Sequence, residues 1–311
     1  MRIFAELVLR AAVVLTGVAL ATFALLWHAP GDPALAIAEA RHGTVVSKEV
    51  LDLIRAEAGF DTGFWTAFWA WLSPLLIGDF GQSSVTGRHV WPDLVTAMSY
   101  TFPLALISLA IGLVVSVPLA LVATRKPGSW MDRGAVALAS IGVAIPAFWL
   151  GLLLILLFAV HLGWLPAMGA QTKAHAVLPA LTLALGIAAS LTRILRSGIL
   201  EARTQTFLPA FYRRGVAAGD VARDHIAPHA AIPVVTVLGL ELAFLLEGLV
   251  VVEVIFARPG LGSFLVNAIY ARDFPKVQAV VIIAAVIFVT VNLLIDVIYR
   301  SLDPRMDRRD A

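Results

Sequence analysis

Long apolar stretches alternate with polar segments along this chain. A helix that crosses a lipid bilayer needs about 20 mostly apolar residues, and several stretches reach that length. The pattern predicts six membrane-spanning helices, at residues 9–28, 99–123, 134–160, 177–198, 232–256 and 278–300. With six spans, both chain termini lie on the same side of the membrane.

Composition supports this interpretation. Apolar residues make up 60% of the chain and charged residues 14%, whereas soluble domains have about 45–50% and about 25%. The absence of cysteine excludes disulfides and thiolate metal sites. The predicted fold class is therefore all-α, with residues 1–311 forming a single polytopic membrane domain.

Basic residues are divided unequally between the two sides of the predicted spans. Fifteen Lys and Arg residues lie on the side of the termini and eight lie on the other side. Cytoplasmic loops of membrane proteins carry the excess of positive charge. Both termini and the 199–231 segment are therefore predicted to be cytoplasmic, and residues 30–98 form a long outer loop.

The outer loop contains an aromatic cluster, made of Phe64, Trp65, Phe68, Trp69 and Trp71. Aromatic side chains are enriched where a membrane meets water. The cluster predicts a helix lying at that interface. Packing of the rings inside the protein is the alternative.

A polar stretch at residues 204–233 separates two very apolar segments. Gly215 within it is a natural helix stop. The stretch predicts a short helix over 204–218 that lies across the cytoplasmic mouth of the protein and offers one side to a partner. Its centre reads Ala210-Phe211-Tyr212-Arg213-Arg214-Gly215.

Three acids lie in the fifth predicted span: Glu241, Glu247 and Glu253. An ionised side chain at the bilayer centre costs at least about 2.5–3.5 kcal/mol, so these carboxylates are predicted to face the bundle interior or a translocation path. A step of six residues turns a helix by about 240°, and the three cannot share one narrow stripe. Glu247 is the preferred contact for a positively charged substrate, with an internal hydrogen bond as the alternative. Glu253 is predicted to be structural, near Arg258.

The motifs of several enzyme classes are missing from the sequence. A nucleotide-hydrolysing loop would read G-x-x-x-x-G-K-[ST], a metalloprotease helix H-E-x-x-H and a hydrolase elbow G-x-S-x-G. None of the three occurs. The chain is therefore predicted to be no enzyme, and any ATP that drives it is hydrolysed by another polypeptide.

Short motifs follow one another in a characteristic order along nearly the whole chain. They are PGDPA at 30–34, GDFGQS at 78–83, IPAFWL at 145–150, WLPAMG at 164–169, VEVIF at 252–256, RPGLG at 258–262, DFPKVQ at 273–278 and LDPR at 302–305. In this order they resemble the membrane permease subunit of ATP-binding-cassette (ABC) importers of the oligopeptide, dipeptide and nickel group.

The resemblance implies a type I ABC importer permease fold in a bacterial inner membrane, with residues 99–300 as the core region. It also implies partners: a second homologous permease, identical or different, two ATPases that hold ATP and Mg²⁺, and an extracytoplasmic substrate-binding protein. The implied cargo is a small peptide or a nickel or other metal chelate.

The family's ATPase-coupling motif ends in a glycine that corresponds to Gly215, with Ala210 and Phe211 in the preceding small-residue region. Phe211 departs from the family pattern, as does Pro228, which stands where a basic residue is common. A different class of function stays open from the residues alone. A secondary transporter or channel would use the intramembrane carboxylates without an ATPase.

Overall fold

The computed structural model describes residues 2–28, 33–42, 46–57 and 62–302, and nearly all of these residues are helical. The predicted all-α fold class is confirmed. The α-helices in chain order are α1 (Arg2–Trp27), α2 (Pro33–His42), α3 (Lys48–Glu57), α4 (Phe64–Leu75), α5 (Val90–Arg125), α6 (Trp130–Ala144), α7 (Ala147–Leu154), α8 (Val177–Arg203), α9 (Leu208–Arg213), α10 (Ala218–Val221), α11 (Ala227–Ile255), α12 (Leu261–Tyr270) and α13 (Phe274–Leu302).

Helices cover all six predicted spans. Within the described part of the chain, four helical segments are long and apolar enough to cross a membrane, and a bent pair made of α6 and α7 makes a fifth if it counts as one span. The predicted span 232–256 lies in α11, which has 29 residues. The count of six spans stays a prediction. The four single segments are Leu7–Trp27, Val90–Arg125, Lys173–Arg203 and Phe274–Ile298.

The predicted span 134–160 is not one continuous helix. Its two halves, α6 and α7, are bent by 100° relative to each other. Pro146 stands at the break, and a proline pushes the preceding residue toward an extended conformation. Ile145 accordingly has φ −79° and ψ 122°. The predicted span is therefore interrupted at this proline, and it is one span only if the bent pair is counted together.

The chain divides into two compact units. The first unit contains Met1–Thr101 and Pro259–Thr290, and the second contains Phe102–Arg258 and Val291–Ala311. In the first unit, a hydrophobic core joins the start of α5 to α12 and α13. In the second unit, α8 lies at the centre of the largest core, packed against α6, α7 and α11.

The rings of the aromatic cluster at residues 64–71 have two kinds of surroundings. Phe64, Phe68 and Trp71 of α4 surround Phe23 of α1, with ring centroids 5.4–5.5 Å from the Phe23 ring. Trp65 and Trp69 of α4 are exposed. A role at the membrane interface stays a prediction for these two rings.

Two distant sequence motifs meet in the first unit. Ser83, from the GDFGQS motif, donates a hydrogen bond through Oγ to Asp273 Oδ2 at 2.5 Å. The amide of Ser84 donates to Asp273 Oδ1 at 3.0 Å, and Lys276 Nζ lies 3.6 Å from the same carboxylate. Because Asp273 is buried, these donors are what make its negative charge tolerable there.

A second pair of motifs meets in the second unit. The amide of Gly169 donates to the carbonyl of Phe256 at 2.8 Å, and Arg258 Nη1 donates to the carbonyl of His175 at 3.1 Å. The loop around WLPAMG is therefore fastened to the end of α11. Ala257 has φ +48° at that helix end, a conformation in which glycine is usual.

Close helix packing in the second unit depends on glycine. A Cβ atom added at Gly112 of α5 would lie 2.6 Å from Cγ2 of Ile187, and one at Gly142 of α6 would lie 2.7 Å from Cβ of Ala189. Both contacts are with α8. Small residues let helix backbones approach closely inside a membrane, and these two positions use that effect.

Candidate functional site

The polar 204–233 stretch folds into short helical pieces. The predicted 204–218 helix is shorter than expected and runs as α9 from Leu208 to Arg213. Gly215 follows with φ +77°. Its amide donates to the carbonyl of Tyr212 at 3.1 Å, and the amide of Val216 donates to the carbonyl of Phe211 at 3.2 Å. This pair of hydrogen bonds is a Schellman cap, so the predicted helix stop at Gly215 is confirmed.

Buried side chains hold α9 against the rest of the second unit. Leu208 of α9 and Val221 of α10 are buried in one apolar cluster with residues at the end of α8. The outer face of the segment consists of Ala210, Tyr212, Arg213, Arg214 and Gly215, all exposed. Five of the six residues predicted to couple to an ATPase are therefore exposed.

Phe211 is the exception among the six. Its ring stacks on His225 with a centroid distance of 3.9 Å and an interplanar angle of 26°. It also packs edge-on against Phe207 at 6.3 Å. The large side chain that departs from the family pattern is therefore directed into its own protein. It connects α9 to the start of the helical segment that becomes α11.

Pro228 is accommodated without breaking that segment. A π-helical turn at Ala222–Ile226 leads directly into α11, and Pro228 occupies the first turn of α11. A proline is tolerated there because the first amides of a helix have no partner inside the helix.

An ion pair fastens the ends of α6 and α8 at the same end of the second unit. Arg196 Nε and Nη2 donate to the two carboxylate oxygens of Asp132 at 2.6 and 2.8 Å. Asp132 also accepts from the amide of Gly128 at 2.7 Å. Nearby, Arg203 Nη1 donates to the carbonyl of Thr124 at the end of α5.

Sequence reasoning missed the role of this pair. From the sequence, Arg196 is one of the fifteen Lys and Arg residues on the side of the termini and has no visible partner. The available signal was local: Ser129 caps α6 by accepting from the amide of Asp132 at 3.3 Å, and Asp132 is the only acid between residues 94 and 200. A single acid in so long an apolar region requires a basic partner.

A second ion pair in the polar stretch is fully exposed to solvent. Arg223 Nε donates to Asp224 Oδ1 at 2.8 Å. This hydrogen bond lowers the pKa of the Asp224 carboxyl below its ordinary value. Because both side chains are exposed, the pair contributes little to stability.

The three acids of the fifth span have different surroundings in α11. Glu241 is partly buried and hydrogen-bonds to Ser190 of α8. Glu253 is completely buried near the end of the helix. Glu247 is exposed. A translocation path lined by all three stays a prediction, and Glu247 is the one whose side chain is accessible.

Comparison with protein families assigns nearly the whole chain. Residues 116–308 match the family described as the binding-protein-dependent transport system inner membrane component, and residues 1–105 match its N-terminal region. The chain belongs to this family. It is the permease subunit of an ABC importer, and the alternative interpretation as a secondary transporter or channel is not supported.

Curated relatives of the permease cover it almost end to end. It is 35% identical over 287 residues to the glutathione transport system permease protein GsiC of Escherichia coli (strain K12), with 92% of each chain covered. The protein of the same name from Salmonella choleraesuis (strain SC-B67) is 36% identical over the same length and coverage.

Solved structures share the fold of the permease. The MetNI methionine ABC transporter in an inward-facing conformation aligns with a TM-score of 0.57 and 20% identity, over 68% of this chain and 96% of that one. An amino acid ABC transporter with histidines aligns with a TM-score of 0.54 and 19% identity, over 68% and 94%. At these identities the likeness shows the fold alone.

Proposed function

We propose that the permease imports small peptides, driven by ATP that partner subunits hydrolyse. The observation that carries this proposal is the identity of 35% over 92% of the chain with permeases named for glutathione, which is a tripeptide. A nickel or other metal chelate is the second cargo class that the motifs suggested. It serves as the comparison cargo in the experiment below.

The proposed assembly has three kinds of component besides this permease. A second permease completes the pore, two ATPases hold ATP and Mg²⁺, and an extracytoplasmic binding protein delivers the cargo. In this arrangement the termini and the 199–231 segment are cytoplasmic, as the distribution of basic residues predicts.

The ATPases are proposed to dock on the exposed surface of α9. Supporting this role, the surface carries Arg213, Arg214 and the exposed Gly215 cap while Leu208 anchors it from below. A push on α9 passes to α8 through the polypeptide and to the start of α11 through the stacked rings of Phe211 and His225. Rocking of these packed helices between two arrangements gives alternating access.

Uptake into vesicles tests the proposed function. With both permeases, the ATPases, the binding protein and ATP present, small peptides are expected to accumulate and chelated nickel is not. The permease reconstituted alone is expected to give no accumulation, because it has no nucleotide-hydrolysing loop. Concentrative uptake by the lone permease would contradict the proposal, and preferential uptake of chelated nickel would contradict the cargo.

Glu247 is proposed to bind the ammonium group of the peptide on its way through. Among the three acids of α11 it is the exposed one, and a carboxylate pairs well with an ammonium donor. Replacing it by glutamine keeps the shape of the side chain and removes its charge.

The variant Glu247→Gln is expected to raise the concentration for half-maximal uptake of a peptide with a free amino terminus by about tenfold or more, since hydrogen bonds to charged groups are worth about 1.5–3 kcal/mol. The same peptide with an acetylated amino terminus is the matched control and is expected to change little. Equal losses for both peptides would identify Glu247 as a structural carboxylate.

A further inference from the structure

A short turn between α5 and α6 carries a group of exposed cations. Arg125, Lys126 and Arg133 are all exposed in this 125–133 turn. Trp130, at the first position of α6, is 79% exposed. The turn joins a membrane-spanning helix to the first half of the bent pair, so it lies at the membrane surface.

The charge of the 125–133 turn is not neutralised from within. Asp132 is its only acid, and the residue is only 3% exposed. Both of its oxygens are occupied by Arg196, and one also accepts from the amide of Gly128. The positive charge of the three exposed cations therefore faces outward without a competing carboxylate in the turn.

An apolar strip continues from the turn along α6. Trp130, Gly134, Leu138 and Ile141 recur at spacings of four, four and three, which places them on one face of the helix. Leu138 and Ile141 are exposed, and a Cβ atom added at Gly134 would meet nothing within 4 Å. The strip offers a shallow apolar groove that begins directly beneath the cations.

We propose that the 125–133 turn binds the headgroup of an anionic phospholipid, whose acyl chain lies along the strip from Gly134 to Ile141. The groups of the site follow the same order as the parts of such a lipid. The cations lie at the level of the phosphate, the indole ring at the boundary and the aliphatic side chains along the acyl chain. A soluble anion has no acyl chain to lie along the strip. A zwitterionic lipid has no net negative charge to pair with the exposed cations.

The site is connected to the part of the permease that moves in the proposed function. Asp132 of the turn forms an ion pair with Arg196 of α8. In the chain, α8 is followed by α9. A bound lipid would steady the end of α6 and, through this ion pair, the end of α8. The lipid site itself does not depend on the identity of the cargo or of the ATPases.

Fluorescence quenching tests the site in the full transporter complex. The complex is placed in nanodiscs of phosphatidylcholine that contain a minor fraction of phosphatidylglycerol brominated near the top of its acyl chains. Because the chain has eight tryptophans, the Trp130 signal is taken as the difference between the wild type and Trp130→Phe. Brominated phosphatidylglycerol is expected to quench this signal more strongly than an equal amount of brominated phosphatidylcholine.

Variants of the turn set the expected magnitude. Each cation near a membrane surface adds about fivefold to the affinity for anionic lipid. The variant Lys126→Gln is therefore expected to weaken apparent binding about fivefold. The triple glutamine variant of Arg125, Lys126 and Arg133 is expected to weaken it more than tenfold. Arg223→Gln removes the same charge as Lys126→Gln from an exposed site outside the turn. It is the matched control and is expected to leave the quenching unchanged.

Four results would overturn the proposal. Equal quenching by the two brominated lipids would indicate ordinary lipid contact. Loss of the preference in the presence of inorganic phosphate would indicate a site for a soluble anion. A Trp130 signal that neither lipid quenches would indicate that a protein, such as the second permease, covers the strip. An equal loss of quenching in Arg223→Gln would show that the effect depends on the net charge of the protein and not on the turn.

Discussion

Replacing Gly215 with valine is expected to abolish ATP-driven uptake while the permease is still inserted in the membrane. Gly215 has φ +77°, and a side chain there would point into open space, with no atom within 4 Å of its Cβ. The folded permease therefore has room for the new side chain. Valine fills the surface that the ATPase is proposed to contact, and its branched Cβ opposes the left-handed backbone of the helix cap.

Uptake and ATP hydrolysis by the assembled transporter measure this effect together. The expected result is hydrolysis that no longer responds to cargo, with uptake at background. Gly163→Val is the matched control, since Gly163 also has a positive φ of +62° with no neighbour within 4 Å of an added Cβ. Gly163 lies outside the 204–218 segment that is proposed to contact the ATPase, and uptake is expected to persist in that variant. Full uptake by Gly215→Val would show that Gly215 is not part of the surface that couples to the ATPase.

Replacing Asp132 with asparagine is expected to lower the free energy of unfolding by about 3 kcal/mol, because removal of one partner leaves a poorly solvated charge behind. The Arg196 side chain is 27% exposed, which places the effect at the lower end for buried pairs. Denaturant unfolding of the purified permease in detergent measures the difference from the wild type.

A double-mutant cycle separates the pair from other effects at Asp132. Asp132→Asn combined with Arg196→Gln is expected to lose much less than the sum of the two single variants, since the second change removes the stranded charge. Asp224→Asn is the matched control, because its partner Arg223 and the acid itself are exposed, and no measurable change is expected. Additive losses in the cycle would contradict a coupled ion pair.

The sequence alone was sufficient to predict the helices and the family. Runs of about 20 apolar residues leave few structures other than a helix in a bilayer, so the long helices are readable without tertiary information. Gly215 was likewise readable as a helix stop, since few residues other than glycine adopt the left-handed conformation of a helix cap easily.

Contacts between distant residues were not readable in the same way. The motifs around Ser83 and Asp273 are both recognisable in the sequence, but a single sequence contains nothing that shows that they are in contact. The inward direction of Phe211 depends on His225 lying opposite its ring, which is a property of the folded chain. A proline such as Pro146 indicates that a helix can break there, but the size of the bend, 100° between α6 and α7, is not contained in the sequence.

The hydrogen bond between Ser83 and Asp273 also constrains how the permease is made. The two residues are 190 positions apart, so a ribosome that adds about 5–20 residues per second needs roughly 10–40 s to synthesise the second after the first. Throughout that interval the GDFGQS motif has been synthesised without the Asp273 carboxylate that accepts its hydrogen bonds. The contacts that Asp273 makes in the first unit can form only after residue 273 has been synthesised.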